Sequence, residues 1–118
     1  MSNDNPTIYY KFYKLLKFLY SAVENFEKQY KYNLGEEVLN LTWQCLDLVI
    51  KANSLPNKKK HSAIKQLSIT FDQLKMRLRM VQELEQLSEK QYSHLQTEHI
   101  KQAGQELNKR KECLNSIS

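Results

Sequence analysis

Apolar residues recur along the chain at the spacing of helices, in which positions three and four apart share a face. Ile8, Phe12, Leu15, Leu19, Ala22 and Phe26 predict a first helix over about 6–29. Asn5 is its expected N-cap, and Pro6 stands at the first helical position, where its missing N–H costs no intrahelical bond. After a turn at Tyr30-Lys31-Tyr32, a second helix is expected over about 34–52, with Asn33 as cap and Glu36 completing a capping box. Its main stripe is Leu34, Val38, Leu41, Cys45, Leu48 and Ala52. Beyond Asn53-Ser54-Leu55-Pro56-Asn57, a third helix over about 58–87 carries Ile64, Leu67, Phe71, Leu74, Leu78 and Val81. Ser88 and Gln91 form a second capping box that opens a fourth helix over about 88–112, whose sparse apolar face is Tyr92, Leu95, Ile100, Ala103 and Leu107.

Short links between helices of this length make neighbours antiparallel, which predicts an all-α, up-down-up-down four-helix bundle in a single domain over 1–118. Only two glycines and two prolines occur, too few for the many turns of an all-β or α/β chain. A monomeric bundle needs one apolar face per helix, yet three helices carry a second line. Tyr9, Tyr13, Leu16, Tyr20 and Val23 form one on the first helix, Leu39, Trp43, Leu46 and Ile50 one on the second, and Ile69, Met76, Met80 and Leu87 one on the third. The surplus predicts a homo-oligomer with Tyr9, Tyr13, Tyr20, Leu39, Trp43, Leu46, Ile50, Met76 and Met80 at its interface. The alternative is a wide stripe in a thick core.

Charge changes the picture more than any motif does. Eighteen Lys and Arg against thirteen Asp and Glu give a net charge of +5, which suits a polyanionic partner. From Lys58 to Arg79 there are seven basic residues (Lys58, Lys59, Lys60, Lys65, Lys75, Arg77, Arg79) and one acid, Asp72. Lys109, Arg110 and Lys111 add a second cluster. Such a stripe can track phosphates with salt-dependent affinity; equally, Lys75 can pair with Asp72 and Arg79 with Glu83 on a solvated face. The helix dipole disfavours lysines at a helix start, so stability does not account for Lys58 to Lys60. Tyr9, Tyr10, Tyr13 and Tyr20 interleave with Lys11, Lys14 and Lys17, a pattern that serves either a tyrosine-lined interface or base stacking.

No catalytic constellation is visible, and no enzyme activity, cofactor or metal is expected. On an α-helix the five-residue spacing of His94 and His99 turns through about 140° and separates the two rings. Glu36 and Glu37, and Glu83 and Glu85, do not face a common point. Cys45 and Cys113 fit no metal-ligand spacing and suit a reducing compartment. With a polar start and no long apolar run, a soluble, unprocessed cytoplasmic protein without membrane contact is expected.

The order of Leu34-Gly35, Leu48-Val-Ile-Lys-Ala-Asn53, Leu74-Lys-Met-Arg-Leu-Arg-Met80 and Leu87-Ser-Glu-Lys-Gln-Tyr92 resembles the accessory variability determinant proteins of diversity-generating retroelements. These are related to four-helix proteins encoded in ribosomal RNA intervening sequences, and the resemblance covers about residues 8–108. It implies a ring-like homopentamer with a basic surface, which binds the element's reverse transcriptase and template RNA and supports mutagenic retrohoming without catalysing a step. Lys75 and Arg79 fall where the family has an Arg-x-x-x-Arg pair, although Lys75 lacks the planar fork of arginine. The chain departs from the family at Ala103-Gly104-Gln105-Glu106-Leu107-Asn108, where only Gly104 of its C-terminal pattern remains. A protein of the intervening-sequence type, or an oligomeric interaction scaffold, is the alternative.

Overall fold

In the computed structural model, which describes residues 6–117, α1 spans Pro6–Val23, α2 Lys28–Lys31, α3 Leu34–Ser54, α4 Asn57–Glu83, α5 Glu89–Leu95 and α6 Lys101–Ile117. A single π-helical turn, Gln96–Ile100, joins α5 to α6 without a break, so these three segments form one fourth helix. The described residues are all-α and contain no strand. Asn5, the expected first cap, lies outside them.

Cross-helix bonds fix the topology. Arg77 meets Glu37 and Lys60 meets the Ala52 carbonyl, so α4 runs antiparallel to α3. Lys111 donates to Ser68 while Gly104 lies against Phe71, and Lys11 donates to Gln102 while Phe18 meets His94, placing the fourth helix antiparallel to both α4 and α1. Up-down-up-down packing follows, and Phe12 of α1 meets Phe71 of α4 edge-on across the core, centroids 5.3 Å apart.

The α1 stripe from Ile8 to Ala22, Phe26 in the turn that follows it, and the α4 stripe from Ile64 to Val81 are all buried. On α3 the buried strip is broader than expected: Thr42, Leu46 and Val49 join Val38, Leu41, Cys45 and Ala52, while Leu48 is only half-buried. Leu46, expected at an oligomer interface, is 2 % exposed and belongs to the core of the subunit, as do Leu16, Val23 and Leu87. There the wide-stripe alternative holds.

Helix ends differ from the expectation where no glycine marks them. The first helix stops at Val23, not Gln29, and the chain turns through Glu24–Glu27 before α2. Gln86 secures that turn: its Oε1 accepts from the Glu27 N–H at 2.7 Å, and its Nε2 donates to Glu27 Oε1 at 2.7 Å and to the Leu84 carbonyl at 2.9 Å. At the start of α3, Asn33 accepts from the Leu34 N–H, and Glu36 does not close a box. The Ser88 box does form, with Gln91 N–H donating to Ser88 Oγ at 3.0 Å and Ser88 N–H to Gln91 Oε1 at 2.9 Å.

Candidate nucleic-acid interface

The basic stripe read from the sequence divides into two groups in space. Lys75, Arg77 and Arg79, in the last turns of α4, each face a carboxylate: Asp72, Glu37 and Glu83 respectively, all at 3.3 Å. Lys75 also lies over the Phe71 ring, 4.8 Å from its centroid. The pairs are exposed and individually weak, but they lower the net positive charge offered to a ligand.

At the opposite end of the bundle the lysines stand differently. Lys58, Lys59 and Lys65 have no carboxylate within 4 Å among the described residues. Lys60 has a structural role, because its Nζ donates to the Ala52 carbonyl at 2.7 Å and so caps the C-terminus of α3, where positive charge is favoured. Stability therefore does account for Lys60, contrary to expectation, and leaves Lys58 and Lys59 unexplained. Lys58 and Lys59 occupy the first turn of α4, where the dipole disfavours them and Pro56 supplies no side-chain cap.

The C-terminal cluster joins this same end. Arg110 donates to Asn53 Oδ1 at 2.6 Å, Lys111 to Ser68 Oγ at 3.2 Å, and Lys109 pairs with Glu106 at 3.3 Å. Residues 51–65 and 106–115 together carry eight Lys and Arg against two acids. Residues 24–37 and 77–90, at the other end, carry five against seven. The bundle, 45 Å in its longest extent, is thus positive at one end and slightly negative at the other.

Two exposed apolar faces lie along its sides. On the first, Trp43 Nε1 donates to Tyr20 Oη at 2.9 Å, tying α3 to α1. Tyr13 and Ile50 are one antiparallel step further along, seven residues from each partner. Tyr9 stacks on Tyr13 at 6.2 Å, Lys17 lies 5.0 Å over the Tyr13 ring, and Lys14 lies 5.7 Å over that of Tyr10. Leu39 is half-buried. The second face is a groove of about 850 Å³ between α3 and α4, floored by Tyr30, Leu34, Met76, Met80 and Leu84 and rimmed by the Glu37–Arg77 and Arg79–Glu83 pairs. Met76 is 64 % and Met80 54 % exposed, so both offer apolar surface.

His94 and His99, expected on different faces of a helix, are instead in contact, ring centroids 5.4 Å apart. The cause is the π turn, in which Lys101 N–H reaches back five residues to the Gln96 carbonyl and brings residues five apart onto one side. His99 is 7 % exposed and packs on Phe18 at 4.9 Å, with its Nδ1 buried and without a partner. Burial, His94, and the nearby Lys14 and Lys11 push its pKa down to about 4, against an opposing pull from Glu98. No hydrophobic period announces this pair; a lone polar residue at a core position of the fourth helix is its only sign in the sequence. Burial likewise lifts the Cys45 thiol to about 12, so it stays protonated and unreactive at neutral pH.

Among the described residues no three His, Cys, Asp or Glu side chains converge as a metal site. No helix among them is long and apolar enough to cross a membrane. No curated protein and no solved structure matches the chain. A family model described as bAvd-like does match, over residues 7–112, nearly the full length of the four helices. That span takes in the lysine-rich start of α4, both exposed apolar faces and the π turn, and on it the chain belongs to the bAvd-like family, in agreement with its resemblance to the accessory variability determinants.

Proposed function

We propose that the protein is a non-catalytic accessory factor of a diversity-generating retroelement, which assembles as a homopentameric ring and binds template RNA and reverse transcriptase to support mutagenic retrohoming. Family membership supports the accessory role. The observation that carries RNA binding is the segregation of unpaired lysines, Lys58, Lys59 and Lys65, with Arg110 and Lys111 at one end of the bundle, against ion pairing of Lys75, Arg77 and Arg79 at the other. Phosphate contacts made by lysines of this kind confer affinity without sequence preference. Assembly is supported by the unlike apolar faces: an aromatic one with Tyr9, Tyr13, Tyr20, Trp43 and Ile50, and the methionine groove with Met76 and Met80. A head-to-tail contact between two different faces generates a ring when its rotation closes.

Light scattering on a sizing column, with and without a structured RNA, tests both parts. The expected result is a mass near five chains that rises on adding RNA at ~50 mM salt and falls back at ~200 mM. An oligomer indifferent to RNA at low salt would point to an interaction scaffold, and a lone 14.1 kDa species would remove the assembly as well.

A further inference from the structure

A narrow cleft of about 230 Å³ opens in the basic end, between the first half of α4 and the last turns of α6. Ile64 and Leu114 form its buried floor, and the half-exposed Ile69 one wall. Lys65 comes to its mouth from α4 and Lys111 from α6, with His61 and Asn115 beside them. Lys111 is held in place by its bond to Ser68 Oγ, and among the described residues no carboxylate lines the cleft. Two cations thus converge from different helices above an apolar floor.

We propose that this cleft seats one unpaired nucleotide, its phosphate between Lys65 and Lys111 and its sugar and base edge against Ile69 and Leu114. The inference rests on the nucleic-acid reading above and sharpens it. A duplex holds its bases stacked inside and meets a protein of this kind through phosphates alone, whereas a single strand can lower a nucleotide into a slot. Lys58 and Lys59 lie outside the cleft, and their charge serves both forms of nucleic acid. The basic end is therefore selective for single strands, and the selectivity belongs to the cleft and not to the charge around it.

The test compares binding of a single-stranded oligoribonucleotide and a duplex of equal length at low salt, with the folded state of each variant checked by its melting curve. The intact protein is expected to prefer the single strand. Lys65→Gln with Lys111→Gln is expected to weaken single-strand binding about tenfold and to erase the preference, while Lys58→Gln with Lys59→Gln weakens both ligands alike. Ile69→Ala removes the apolar wall while leaving both lysines and the Ser68–Lys111 bond in place, and is expected to cost single-strand affinity only. Equal loss of both ligands in the Lys65 and Lys111 variant, or equal binding of both by the intact protein, would overturn the cleft and leave the broader reading standing. Failure of both ligands to bind at low salt would remove that reading too.

Discussion

The chain's two glycines, both helical, differ in whether their surroundings require a glycine. A Cβ on Gly35 would stand 2.7 Å from Val23 Cγ1, a stiff β-branched atom at the crowded approach of α3 to α1. Gly35→Ala is expected to lower stability by about 1–3 kcal/mol in denaturant unfolding, with partial recovery in the double variant with Val23→Ala. A Cβ on Gly104 meets only Phe71 Cε2, at an ordinary 3.6 Å, so Gly104→Ala should raise stability by about 0.5–1 kcal/mol through helix propensity. His99 is the other residue whose neighbourhood decides its effect. Its folded pKa, about 4, lies below the ordinary 6.5, so between those values the unfolded chain binds more protons. Stability contributed by neutral His99 is thus fully present above about pH 6.5 and is lost as pH falls toward 4. Melting temperature should drop further between pH 7 and pH 4.5 in the intact protein than in His99→Gln; parallel profiles would show that His99 is not what titrates. Core residues such as Phe12 and Leu74 are legible from spacing because each only has to be apolar. Val23, which crowds Gly35, and Phe18, which packs on His99, come from another helix, and no local pattern encodes them.

At the scale of elements, hydrophobic period locates all four helices, and capping chemistry locates the start of the fourth, where Ser88 and Gln91 pair as their types demand. Helix ends without a signature residue are not legible in this way. Spacing predicts that the third helix runs to Leu87, yet α4 ends at Glu83 in a Schellman motif: Gln86 N–H bonds to the Val81 carbonyl at 3.0 Å and Glu85 N–H to that of Gln82 at 2.9 Å. The position that normally holds glycine is Glu85, with φ 59°, in the left-handed region that a side chain disfavours. Nothing in the local sequence marks that stop. Gln86, placed by the same turn, locks the opposite turn at Glu27, so the ending is set by a contact some sixty residues away in the chain. Glu85→Gly should therefore stabilise the protein by about 1 kcal/mol and raise its melting temperature by on the order of 5 °C. A neutral or destabilising result would mean that the Glu85 side chain makes a compensating contribution. The π turn is the second such case: one inserted residue shifts the register of the fourth helix, which is why a uniform 100° per residue sets His94 and His99 apart.

For the whole molecule, what matters is how charge is distributed along the bundle axis, and this is where counting residues by sequence misleads. From Lys58 to Arg79 the stripe looks continuous, but α4 is 27 residues long, and its two ends lie against different neighbours. At its C-terminal end α3 begins, bringing Glu37; at its N-terminal end α3 finishes and α6 arrives with Arg110 and Lys111. The same helix is neutralised at one end and reinforced at the other. A polyanion approaching from solution is steered to the reinforced end, where binding releases counterions without first breaking ion pairs. Replacing Lys58 and Lys59 by glutamine should flatten the dependence of log affinity for RNA on log salt by about 0.7–0.9 per lysine that touches phosphate. Replacing Lys75 and Arg79 by glutamine should change that slope by less than half as much, because RNA engaging them must first displace Asp72 and Glu83. Equal slopes in the two variants would show that the exposed pairs open freely on binding, and the contact surface would then run the length of α4 instead of ending at its first turns.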